Sequence, residues 1–226
     1  MKQQFVNNAA SSVPRVRFGS WGGYLPWIIA IIVVAVLPLI LKSSHSVSML
    51  SQMGIAIVFA LSYNMLLGQG GMLSFGHAVY FGLGGFFAIH ALNMVGDGRL
   101  SIPLELIPLV GALGGLLFAI PFGWVSTKRS GTSFAMISLG LGELVAASSL
   151  MFTGFFGGEG GISGNRVTDI TLLPYSYGPA IEVYYLIAAW AVISAALMYL
   201  LTQTPLGRMA NAVRDNPERA EFVGYN

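Results

Sequence analysis

Cysteine is absent from the 226-residue chain, which excludes disulfide bridges and thiolate metal sites. Charge is scarce as well: Asp, Glu, Lys and Arg make up 9% of the residues, against about 25% in a soluble domain. A soluble fold of this length needs a charged exterior. Long stretches here offer none, so lipid has to cover them. The net charge of +2 is too small, and the basic residues too dispersed among apolar runs, for a nucleic-acid surface. No glycine loop ends in Gly-Lys-Ser/Thr, and GxGxxG, HExxH and GxSxG are all missing. Phosphate-loop, dinucleotide, zinc-protease and nucleophile-elbow chemistry therefore have no visible motif. A fixed-period repeat is missing too, which removes solenoid and propeller folds.

What is present is apolar bulk, 55% of the chain, together with 29 glycines, about twice the usual share. Small residues let apolar helices approach closely, so the expected fold is all-α, a polytopic membrane helix bundle. Six apolar runs come near the length that crosses a layer of about 30 Å. They are Tyr24–Leu41, Met49–Leu67, Met72–Met94, Pro103–Val125, Thr132–Phe152 and Ile181–Leu201. The first is short, holds Pro26 and Pro38, and opens on an aromatic belt of Trp21, Tyr24 and Trp27. The organisation reads as an N-terminal tail (1–23), a transmembrane domain (24–201) and a C-terminal segment (202–226). With the N-terminus cytoplasmic, the joints Gly68–Gly71 and Thr127–Gly131 and the C-terminal tail share its side. Eight basic residues then fall inside (Lys2, Arg15, Arg17, Lys128, Arg129, Arg208, Arg214, Arg219) and three outside (Lys42, Arg99, Arg166). On the outer side Thr153–Ala180 forms the longest connection, a surface for an extracytoplasmic partner.

Polar groups inside spans cost several kcal/mol unless satisfied, roughly speaking, so they are the first functional candidates. Asn64 lies near the end of the second run, His77 and His90 in the third, and Glu143 midway through the fifth. Glu143 either faces a solute path or is packed and hydrogen-bonded to Ser138, Ser148 or a neighbouring helix. His77 follows Ser74-Phe75-Gly76 and either lines a cavity at a helix break or is a satisfied structural histidine; for His90 the structural role is expected. Four glycines interrupt Leu66–Gly76, as a tight turn or as a discontinuous helix. Gly111 and Gly115 have GxxxG close-packing spacing. Past the last span, Asp215 or Asn216 before Pro217 reads as a helix start, with Glu218 and Glu221 in its first turn and Gly224 as its stop. That helix either lies solvated or offers Ala220 and Phe222 to another protein.

Several of these motifs coincide in one family. The run from Asn64 through Gly68, Gly71, Ser74 and Gly76 to His77-Ala78 resembles the NxxxGxxGxxSxGHA-like signature of branched-chain amino acid ABC transporter permeases. Thr132–Leu139 with Glu143, and Gly158–Gly164, resemble the M-type subunit more than its H-type partner. Glu218-Arg219-Ala220-Glu221-Phe222-Val223-Gly224 resembles the opening of the EAA loop, with Arg219 in place of its first alanine. Similarity extends over about residues 25–226.

The resemblance implies a permease subunit of an ATP-driven importer in the bacterial inner membrane, with N-terminus and C-terminal tail cytoplasmic. It implies as partners an H-type second permease, two cytoplasmic ATPase subunits and a periplasmic solute-binding protein. No cofactor is expected on this chain, which is not itself an enzyme; ATP belongs to the partner subunits. Glu218, Arg219, Ala220 and Gly224 are the implied ATPase-coupling residues, with Ala220→Asp expected to weaken co-purification. Asn64, Ser74, His77 and Glu143 are candidates for the translocation path. Family members continue past the EAA glycine, so a truncated sequence is expected. The alternatives are a secondary transporter or channel for a small polar solute, a urea or short-amide ABC permease, and a structural subunit that transports nothing.

Overall fold

The computed structural model describes residues 24–167, 170–222 and 224, so the expected N-terminal tail lies outside the described residues. Two units divide the chain after Leu41. The first contains helix α1 (Leu25–Ile40), which opens with Pro26 in its first turn and carries Pro38 near its end. Proline is tolerated at the start, where its missing N–H has no helical partner anyway. Sixteen residues rise about 24 Å, short of the hydrocarbon thickness of about 30 Å. The expectation of about six spans is met by five helices of full length and this shorter apolar one.

The second unit holds the five long stretches. Helix α2 (Ser44–Asn64) runs directly into a π-turn (Met65–Gln69), and α3 spans His77–Gly96. A 3-10 turn (Leu104–Leu106) leads into α4 (Ile107–Ser126), followed by α5 (Thr132–Met151). A short helix α6 (Thr153–Phe156) and an irregular loop then precede α7 (Ala180–Gln203). The third helix starts five residues later than its apolar run, because residues 70–76 leave the helix after the π-turn. Two helices complete the chain, α8 (Pro205–Asp215) and α9 (Pro217–Phe222). Thr204 caps α8 by accepting the Gly207 N–H at 3.3 Å, with Pro205 in the first turn and Arg214 in the last.

Two helix pairs dominate the packing, α3 with α4 and α2 with α7, while α5 leans more lightly on α3 and α4. Glycine explains the first pair. A Cβ on Gly84 would lie 2.8 Å from the Gly111 carbonyl oxygen, and one on Gly115 3.0 Å from that of Tyr80. The two backbones therefore meet with no side chain between them, which is the use expected of Gly111 and Gly115. Toward the other end of this pair, Ala91, Val95 and Ile107 form a buried cluster that Ile170 joins from the loop before α7. Elsewhere large apolar side chains stay exposed along the spans, as a lipid-solvated surface allows.

Candidate functional site

The glycine-rich run between α2 and α3 is neither a plain tight turn nor a continuous helix. A π-turn with i→i+5 bonding loosens the end of α2, Gly71 adopts φ +67°, and residues 71–74 run without regular structure until α3 begins at His77. Ser74 and Gly76 are buried in this linker. Its far end is fastened to α5: Ser138 Oγ accepts the Phe75 N–H at 3.0 Å and donates to the Ala135 carbonyl at 2.8 Å. At Gly76 any Cβ would collide with the Ser138 carbonyl, and Gly142 lies against Gly76 Cα. Linker and α5 thus touch backbone to backbone.

His77 is held from α2. Its Nε2 lies 2.8 Å from Ser62 Oγ, whose hydroxyl is also 2.7 Å from the Phe59 carbonyl. Both bonds are kept if Ser62 donates to that carbonyl and Nε2–H donates to Ser62. Phe59 and Tyr63 flank the imidazole, with ring centroids at 5.3 and 5.5 Å. Serine and aromatic partners on every bonded side make His77 a joint between α2 and α3. His90 has a comparable place, stacked on Phe155 with Nε2 2.8 Å from its carbonyl oxygen, so it ties α6 to α3.

The near end of the linker is gripped by the tail. Asn211 Nδ2 donates to Gln69 Oε1 at 2.5 Å, and Arg214 donates from Nη1 to the Gly68 carbonyl. Asp215 Oδ1 orients that guanidinium, accepting from Nε and Nη2 at 2.9 and 2.8 Å. A Cβ on Gly71 would lie 2.5 Å from Arg214 Cγ, so glycine serves there both for its φ and for the close approach of α8. These contacts put the first joint and the tail on one side of the bundle.

The four path candidates do not gather at one point. Ser74 lies in the linker and His77 at its end, as the first residue of α3. Asn64 sits exposed at the end of α2, its amide over Gly68. Glu143 follows Gly142 on α5 and is exposed, while Ser138 and Ser148 bond to their own helix. Of the coupling candidates, Ala220 is buried at 6% exposure in α9, which packs on α8, whereas Phe222 is 92% exposed and Glu218 is exposed. Ala220 is thus turned inward and is not the surface this helix offers. Gly224 has φ +95° and closes the turn on the Glu221 carbonyl at 2.9 Å; the side chain of Arg219 lies outside the described residues. Among the described residues no three His, Cys, Asp or Glu side chains converge on a metal position.

Sequence reasoning missed the best-connected acid among the described residues. Glu105, buried at the mouth of α4, accepts from the Leu172 N–H (3.0 Å), the Leu173 N–H (3.1 Å) and the Tyr177 hydroxyl (2.8 Å). Tyr177, 2% exposed and at φ +52°, also donates its N–H to Glu182 and gives its carbonyl to Arg166 Nε at 2.9 Å. Burial, then the hydrogen bond and negative charge of Glu105, push the Tyr177 phenol up to about 12. The available signal was an acidic residue at the start of an apolar run, just after Pro103.

A family model described as the permease component of the branched-chain amino acid transport system matches residues 45–226. Among curated relatives, the high-affinity branched-chain amino acid transport permease LivM of Salmonella typhimurium is 27% identical, covering 88% of this chain and 51% of its own. LivM of Escherichia coli is 26% identical over the same shares, and a probable LivM of Methanocaldococcus jannaschii is 28% identical over 76% of this chain and 57% of its own. The chain thus spans about half the length of these relatives. No solved structure matches it. The signature run from Asn64 to Ala78, the five long apolar helices and the matched residues together place this multi-pass membrane chain in the branched-chain amino acid permease family.

Proposed function

We propose that the chain is the M-type permease subunit of an ATP-driven importer of branched-chain amino acids, fed by a periplasmic binding protein and driven by cytoplasmic ATPases. The observation that carries this reading is the grip of α8 on the glycine linker through Asn211–Gln69 and Arg214–Gly68. A helix outside the spans is thereby fastened to the irregular backbone whose other end bears on α5 at Ser138. Two-state motion needs such a packed element, because close-packed joints shift between discrete arrangements. Glu218 and Phe222 are the side chains α9 leaves for an ATPase surface, with Ala220 and Gly224 shaping the helix behind them. In this reading the inner membrane houses the chain with its tail in the cytoplasm, beside an H-type second permease.

Uptake of labelled leucine into vesicles tests it. The complete set of subunits is expected to accumulate leucine only with ATP. Uptake driven by a proton gradient with the ATPases left out would replace this reading with secondary transport. Accumulation of urea in preference to leucine would move the substrate to the amide class.

A further inference from the structure

We propose that residues 170–175 form a re-entrant anchor in the lipid headgroup–acyl boundary, with Leu172, Leu173 and Tyr175 toward lipid and Glu105 holding the backbone behind them. Their depth follows from three contacts. The Leu104 N–H, at the mouth of α4, donates to the Ile170 carbonyl at 3.1 Å. The Ile170 side chain packs on the cluster that Ala91 and Val95, in the last turns of α3, form with Ile107 at the start of α4. Trp190 donates to the Glu105 carbonyl at 3.0 Å from about ten residues inside α7, about 15 Å along its axis. Even with the indole reaching back one turn, the segment lies beside span ends and not above them.

Irregular backbone at that depth persists only if its polar groups are satisfied within the protein. Glu105 does this for two successive N–H groups, and the Tyr175 N–H closes on the Leu173 carbonyl at 2.7 Å. With these three N–H groups bonded, the large side chains left outward are aliphatic and aromatic: Leu172 is 64% exposed, Leu173 51% and Tyr175 49%. Leucine beside tyrosine is the composition that partitions into a membrane interface.

The absence of cysteine makes a direct depth measurement simple. Nitroxide labels on Leu172→Cys and Leu173→Cys, with Leu109→Cys on α4 as a lipid-facing reference, are read in phosphatidylethanolamine–phosphatidylglycerol vesicles. Both loop labels are expected to relax more with dissolved oxygen than with a water-soluble nickel chelate, at a shallower depth than Leu109→Cys. Dominant relaxation by the nickel chelate would make the segment an aqueous loop. Protection from both relaxants would mean that protein covers it, and either result overturns the proposal. Glu105→Ala is expected to sharpen both spectra and move the labels toward the chelate; unchanged spectra would refute Glu105 as the pin. Should that variant fail to accumulate, Tyr177→Phe is read by the same criterion, with a smaller shift expected.

Discussion

Tyr177 binds the loop before α7 to two carboxylates, and its titration exposes that arrangement. Its folded value, about 12, lies above the ordinary 10.0, so the stability it contributes is complete below about pH 10 and is lost as pH rises through about 12. Thermal unfolding of the wild type and Tyr177→Phe in detergent should therefore differ by a constant margin up to about pH 10 and converge above it. At neutral pH the loss of this charge-assisted bond should cost about 1.5–3 kcal/mol. At Arg214 the fork geometry matters, since one guanidinium serves both Gly68 and Asp215. Arg214→Lys retains the charge but not the fork, and on the proposed import role should lower ATP-dependent uptake several-fold while membrane accumulation, measured by immunoblot, stays unchanged.

Among the elements, the α3–α4 pair carries the tightest backbone approach. Gly84→Val should destabilise it by about 1–3 kcal/mol, because the Gly111 carbonyl cannot retreat from the added carbons, and a lowered unfolding temperature in detergent would register this. The linker and α8 invite a reversible lock. On the proposed import role, Gln69→Cys with Asn211→Cys, joined by a short bifunctional methanethiosulfonate reagent, should halt ATP-dependent uptake while the ATPases still co-purify, and reduction should return it to the level of the unlinked double variant. Continued uptake in the locked state would show that the grip never opens during transport.

Run length alone located the five long helices, since lipid solvation writes span length directly into composition, and Pro217 marked the start of α9 correctly. The delayed start of α3 was hidden because residues 72–76 are nearly as apolar as a span. Glu105 and its loop donors lie 67 to 72 residues apart, and Asn211 and Gln69 142 apart. No local pattern encodes pairings of that range. The four polar candidates were legible as residue types but not as a constellation, because only tertiary packing separates Glu143 from the linker.

At the scale of the whole molecule, the joint at 68–71 and the C-terminal helices lie at one end, and the Glu105-centred loop lies against the opposite ends of α3 and α4. On the proposed import role, Phe222→Asp, on the outward side of α9, should weaken co-purification with the ATPases by about tenfold, the effect of removing an interface anchor worth about 1.4 kcal/mol. Ala220→Asp is expected to act differently, by disturbing the packing of α9 on α8, seen as faster proteolysis of the tail.

The carboxylate of Glu105 also sets an order of events during synthesis. Its partners Leu172, Leu173 and Tyr177 leave the ribosome 67 to 72 residues later, a delay of roughly 3–14 s at bacterial-to-eukaryotic elongation rates. Until that stretch has been made, Glu105 lacks the three donors that hold it in the finished fold, so this contact closes only after α3 and α4 are both complete.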